Sequence, residues 1–329
     1  MTDEHSHSHS HDHEHGQDHG HSHSHAVTDL SKLNRAFMLG ILVNLVFVVV
    51  EVVYGSISGS IALLADAGHN FQDVLSLALS AFSLWLAQRP ASKERTYGYS
   101  KSTILSSLAN SILLVFACAV ILWESFHRLH AGIPVDGDII LKVALVGVAV
   151  NGVSAFFFFG DRNEMNSRGA FLHLMMDALV SFAVAISGYL VLKTGLVWID
   201  PAVSILVAAV ILYSTWNLLT DSLDLALDRV PQGMNVDEVK SLALALDGVL
   251  DLHHIHIWPL STFENAMTAH VVVSADLDQA KLIRLINEEV QEHFPIHHIT
   301  LQIELKNGDS SKCPSEGDHE SETEDHHSH

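Results

Sequence analysis

Six long apolar runs occupy the first two-thirds of the chain, at roughly 36–56, 60–88, 102–126, 138–160, 166–192 and 197–220. Each run, wound as a helix, is long enough to cross a hydrocarbon core of about 30 Å. The pattern therefore predicts an all-α six-helix transmembrane domain over 31–220. From about residue 221 the pattern changes. Pro231 and Gly233 end the last long helix, and Val236, Val239, Leu242 and Leu246 recur with helical spacing. The segment 252–258 alternates and ends at Trp258, a second strand is expected over 267–274, a helix over 278–293 and a third strand over 298–305. That order, αββαβ, predicts a small α+β domain over 221–305.

The two ends carry no such pattern. Residues 1–30 form a polar tail whose first 25 positions hold ten His among Ser, Asp, Glu and Gly, and 306–329 is acidic with further His. Neither can bury a core, so both are expected to be disordered. The first tail reads as a metal buffer or as a solubilising segment. The polar start lacks a basic-then-apolar signal peptide, so the first membrane helix is expected to direct insertion itself.

Charge sets the orientation. Lys32, Arg35, Arg89, Lys93, Arg95, Lys101, Arg162 and Arg168 fall on the side of the N-terminus, and only Arg128, Lys142 and Lys193 flank the other side. Eight against three predicts both termini in the cytoplasm. The net charge of −21 comes mostly from the C-terminal part and leaves no basic patch, so nucleic acid is not an expected partner. The two cysteines, Cys118 and Cys313, match no disulfide framework. No phosphate loop and no HExxH helix is present, which argues against direct ATP drive and intramembrane proteolysis.

The candidate chemistry lies inside the second and fifth runs. His69 and Asp73 are four residues apart, and so are His173 and Asp177. Each pair puts an imidazole and a carboxylate on one helix face, about 6 Å apart at Cβ. Ionisable groups at membrane depth are costly and usually functional. One such pair would serve equally well as a buried brace; two imply four N/O ligands for a divalent transition metal, Zn²⁺ foremost. Antiparallel packing of the two runs sets His69 level with Asp177 and Asp73 level with His173. Small residues nearby (Ala65, Ala67, Gly68, Ala170 and Ala178) permit close helix approach.

Several further polar residues lie in or near the spans. Asp66, three residues before His69, could face the same cavity or cap the break after Gly59 and Ser60. Glu51 is another of them; Asn44, Asn110 and Asn151 read chiefly as bridges between helices, Glu124 as a group reaching the interface, and Asp200-Pro201 as the start of run six. In the last third, His253, His254, His256, His270, His297, His298 and Glu304 could form cytoplasmic metal sites. On a regular strand, residues 254, 256 and 258 share one face and His253 points the other way.

The stretches SIALLADAGHNFQD (60–73), RTYGYSKS (95–102), RGAFLHLMMDALVS (168–181), WIDPAVSILVAAVILYSTW (198–216), LHHIHIW (252–258), AHVVV (269–273) and HHITLQIE (297–304) together resemble the cation diffusion facilitator family. The likeness spans about 30–305 and looks closest to the cobalt–zinc–cadmium efflux branch. It implies a homodimeric metal/proton antiporter with six membrane helices and a cytoplasmic metallochaperone-like domain, and no enzymatic activity. It implies His69, Asp73, His173 and Asp177 as the transport site, and His270, His297 and Glu304 as ligands of a structural or regulatory cytoplasmic Zn²⁺. One position departs from the pattern: relatives usually carry an acid where Thr103 stands, which lowers the expectation of an ion site or charge pair there. The expected activity is efflux of Zn²⁺, with Cd²⁺, Co²⁺ or Ni²⁺ as further cargo, across a bacterial inner membrane. A membrane metal sensor that binds without transport is the alternative.

Overall fold

The computed structural model describes residues 35–158, 165–274 and 278–305. The His-rich segment, the acidic tail with Cys313, and the charges Lys32 and Arg162 lie outside them. Six long helices come first: α1 (Arg35–Ser58), α2 (Ile61–Ala87), α3 (Ser102–Ala131), α4 (Gly137–Phe158), α5 (Met165–Thr194) and α6 (Ile199–Ala226). A shorter helix α7 (Val236–Leu244) then leads into β1 (Val249–Pro259), β2 (Asn265–Val273), α8 (Gln279–His293) and β3 (Ile296–Leu305).

Four of the described helices, α3 to α6, are long and apolar enough to cross a membrane by length and composition. The described apolar stretch of α1 is shorter, Leu42–Ser58. In α2 the polar residues Asp66, His69, Asn70, Gln72 and Asp73 interrupt the run. Large apolar side chains such as Phe116, Trp123, Phe156 and Tyr213 point outward from the bundle, as they do where lipid rather than water is the solvent. The molecule is thus a helical membrane domain followed by an α+β unit.

Gly59 sits at φ 72° and breaks the chain between α1 and α2. Ser60 then caps α2: its hydroxyl accepts the Leu63 N–H at 3.0 Å and donates to the Asp200 carboxylate at the head of α6. Asp200 also accepts the Ile61 N–H at 2.8 Å. The cap of this break is therefore Ser60 with Asp200, and Asp66 takes no part in it. Glu124 pairs with Arg128 at 2.8 Å, and that guanidinium also donates to the Gly59 carbonyl.

Two apolar clusters hold the bundle. Ala62 and Leu63 of α2 meet Ile140 and Ala144 of α4 and Val184 of α5, while Ala65 meets Cys118 of α3 and Val207 and Ile211 of α6. Asn110 joins α3 to α2, its side-chain oxygen accepting from Gln72 and from Ser76. In the soluble unit β2 is the central strand, antiparallel to β1 and parallel to β3. Val239, Leu252, Met267, Val271, Ile286 and Ile296 fill the space between sheet and helices. The two units touch at Thr103, whose hydroxyl oxygen accepts the Thr262 N–H at 3.1 Å, and at the Lys101–Asp228 ion pair.

Candidate metal sites

The fourfold spacing along α2 and α5 places each His over its Asp, and the antiparallel approach of the two helices crosses the pairs. His69 Nε2 lies 3.2 Å from Asp177 Oδ1, and His173 Nε2 lies 3.3 Å from Asp73 Oδ2 and 3.5 Å from Asp177 Oδ2. One ligand atom each of His69, Asp73 and Asp177 fall within 4.8 Å of one another. The His69 and His173 rings stand edge-on, 6.4 Å apart between centroids. Two imidazoles and two carboxylates thus converge on one point between two helices. Such a set suits a tetrahedral late first-row cation.

The cluster is closed on one side. The Asp177 side chain is 5% exposed, whereas those of Asp73 and His173 are 22% and 28% exposed, so access is from the Asp73–His173 side. The adjoining small residues Ala65, Ala67 and Ala178 are buried, and short side chains there let the helices approach. Asp66 stands outside the ligand cluster and accepts a hydrogen bond from Ser181 at 2.8 Å.

A second group lies on the sheet of the soluble unit. His253 is cross-strand from His270, and Glu304 on β3 reaches both: Nδ1 of His270 at 2.9 Å and Nε2 of His253 at 3.5 Å. These three also fall within 4.8 Å by their ligand atoms. Of the three residues expected here, the structure brings together His270 and Glu304 but not His297. His297 is exposed at the opposite end of β3, seven positions from Glu304, or about 23 Å at the rise of an extended strand. His253 takes the third place. The expectation that it faces away from the other histidines fails because β1 is not regular: a bulge lies between His253 and His256, with His254 at φ 52°. An extra residue in one strand breaks the alternation of faces. Both His253 and His254 consequently lie against the His270 ring, at 5.4 and 5.0 Å between centroids. The readable signal was the hairpin register, which sets His253 opposite His270.

Comparison with known proteins finds a match for each of the two units of the fold. Residues 37–225 match the cation efflux transmembrane domain, and 231–306 match the cation efflux protein cytoplasmic domain. The zinc transporter ZitB of Pectobacterium atrosepticum is 32% identical over 283 residues, covering 85% of this chain and 88% of that protein. The metal cation efflux system protein CzcD of Cupriavidus metallidurans is 32% identical over 274 residues, covering 83% and 87%. The cadmium, cobalt and zinc/H⁺–K⁺ antiporter of Bacillus subtilis is 30% identical over 266 residues, covering 79% and 85%. Together with the helical membrane domain and its crossed His–Asp pairs, these matches make the chain a member of the cation efflux family, a membrane transporter and not an enzyme.

Proposed function

We propose that the chain exports a divalent transition-metal cation, Zn²⁺ foremost, in exchange for protons across a bacterial inner membrane. The observation that carries this reading is the convergence of His69, Asp73, His173 and Asp177 from two membrane helices. Imidazoles and carboxylates must shed protons before they bind a metal. A site of this composition, opened to one side and then the other, exchanges cation for protons. Cd²⁺, Co²⁺ and Ni²⁺ accept the same donors and are the further cargo. The relatives named for zinc, for cadmium and cobalt, and for proton antiport support the assignment.

In this reading all six long helices cross the bilayer and both termini lie in the cytoplasm. The exposed side of the tetrad then faces the cytoplasm, and the structure is the state that loads metal. Rocking of helices about a fixed midplane site would expose it outward. The α+β unit pairs two copies into a homodimer, and a cytoplasmic Zn²⁺ held by His253, His270 and Glu304 tightens it. His297 has no part in that site within one chain.

The test is reconstitution of the full chain in lipid vesicles under a pH gradient. Uptake of Zn²⁺, Cd²⁺, Co²⁺ and Ni²⁺ is compared between the native chain and His173→Ala. We expect at least a tenfold loss of Zn²⁺ uptake, in line with removal of a metal ligand. Equal uptake by the two proteins would remove His173 from the mechanism. Metal binding with no flux under the gradient would make the chain a sensor.

A further inference from the structure

A second polar cluster lies one turn from the tetrad and contains no metal-ligand triad. Glu51 of α1 and Asp66 of α2 are both fully buried, and their carboxyls are within hydrogen-bonding reach of each other. Each has one neutral donor: the Asn70 amide donates to Glu51 Oε2 at 3.0 Å, and the Ser181 hydroxyl donates to Asp66 Oδ2 at 2.8 Å. The remaining oxygens, Glu51 Oε1 and Asp66 Oδ1, are buried with no donor. Two adjacent carboxylates cannot both stay ionised in a dry interior; one proton between them removes the repulsion and satisfies both oxygens.

We propose that Glu51 and Asp66 share an acid proton between Oε1 and Oδ1, forming a proton-binding site separate from the metal tetrad that empties when a divalent cation loads. The ionisable groups facing the pair are His69, on the same helix as Asp66, and Asp177, one turn from Ser181 on α5. The part of α4 beyond Lys142 brings no ionisable side chain, and Lys142 itself pairs with Asp138. On the other side of α2, α3 contributes the Cys118 thiol, and the Asp200 carboxylate of α6 is engaged by Ser60 and Ile61. A dication held by His69 and Asp177 sits one helical turn from Asp66 and favours the ionised pair. On loading, the carboxyl O–H bond breaks, its electron pair stays on the carboxyl oxygen, and the proton passes to water. Asn70 and Ser181 then each hold one carboxylate.

This inference rests on the tetrad as the metal site, and the experiment separates the two. The full chain is studied by infrared spectroscopy at neutral pH, and proton release on Zn²⁺ addition is followed in weak buffer. The native chain should show a protonated-carboxyl band that is lost in Glu51→Gln and in Asp66→Asn. Both variants should release about one proton fewer per Zn²⁺ bound while keeping Zn²⁺ affinity within about threefold. Absence of the band in the native chain, its persistence in both variants, or unchanged proton release would overturn the proposal. Asp177→Asn should lose Zn²⁺ binding at the tetrad, leaving only the cytoplasmic site, yet keep the band. Should Asp177→Asn bind Zn²⁺ normally, the metal reading fails while the carboxyl band is judged by itself.

Discussion

Single residues decide which of the many histidines matter. In the cytoplasmic group Glu304 reaches both His253 and His270, whereas His297 lies at the far end of the strand. In a full chain whose tetrad is silenced by Asp177→Asn, Glu304→Gln should raise the Zn²⁺ Kd of the cytoplasmic site about tenfold or more, by calorimetry. His297→Ala should leave that Kd within about twofold. Near this site, burial by itself pushes the Asp251 carboxyl up, but the Lys240 ammonium at 3.1 Å outweighs it and holds the acid below the usual carboxylate range. A lowered folded-state value means that the stabilisation is fully present above the ordinary Asp pKa and is lost as pH falls through the folded value. Both partners are well exposed, so the effect is about 0.5 kcal/mol or less. Thermal unfolding of the solubilised chain below about pH 4 should show this loss, and Lys240→Ala should remove it.

At the scale of elements, α4 crosses closely on α5 at Gly188, about three turns beyond Asp177. A Cβ added at Gly188 would lie 2.6 Å from the Leu141 N and 2.8 Å from Ile140 Cγ2. Backbone cannot yield there as a flexible side chain would. Gly188→Ala should therefore force the two helices apart and cost about 1–3 kcal/mol, read as a lower melting temperature in detergent. The helices themselves were legible as apolar runs, and their observed limits depart from the runs by a few residues at most ends. The crossed tetrad was legible too, because fourfold spacing and antiparallel packing are both properties of helices. The β1 bulge was not. An alternating strand and a bulged one share the same apolar pattern, and the difference lies in how β1 registers on β2.

Across the whole molecule, the membrane domain and the α+β unit are joined through Thr103, which is buried and accepts the Thr262 N–H. Thr103 offers a neutral acceptor that holds the 260–264 loop of the soluble unit. Thr103→Val should free that N–H at a cost of about 1 kcal/mol. Hydrogen exchange at residues 260–264 of the intact chain should accelerate about fivefold, and unchanged protection would mean that the contact carries no coupling.

The order of elements, the placing of two His–Asp pairs on helix faces, and the family were all written in the linear chain, since periodicity and short motifs are local properties. Which groups meet across helices and strands was decided only by tertiary packing. Asp200 reaches the α2 cap from a position 140 residues away, Asp66 turns to Glu51 and Ser181, and His253 displaces His297. The physical reason is the same each time: a buried polar atom must find a partner, and the nearest one in space belongs to another element.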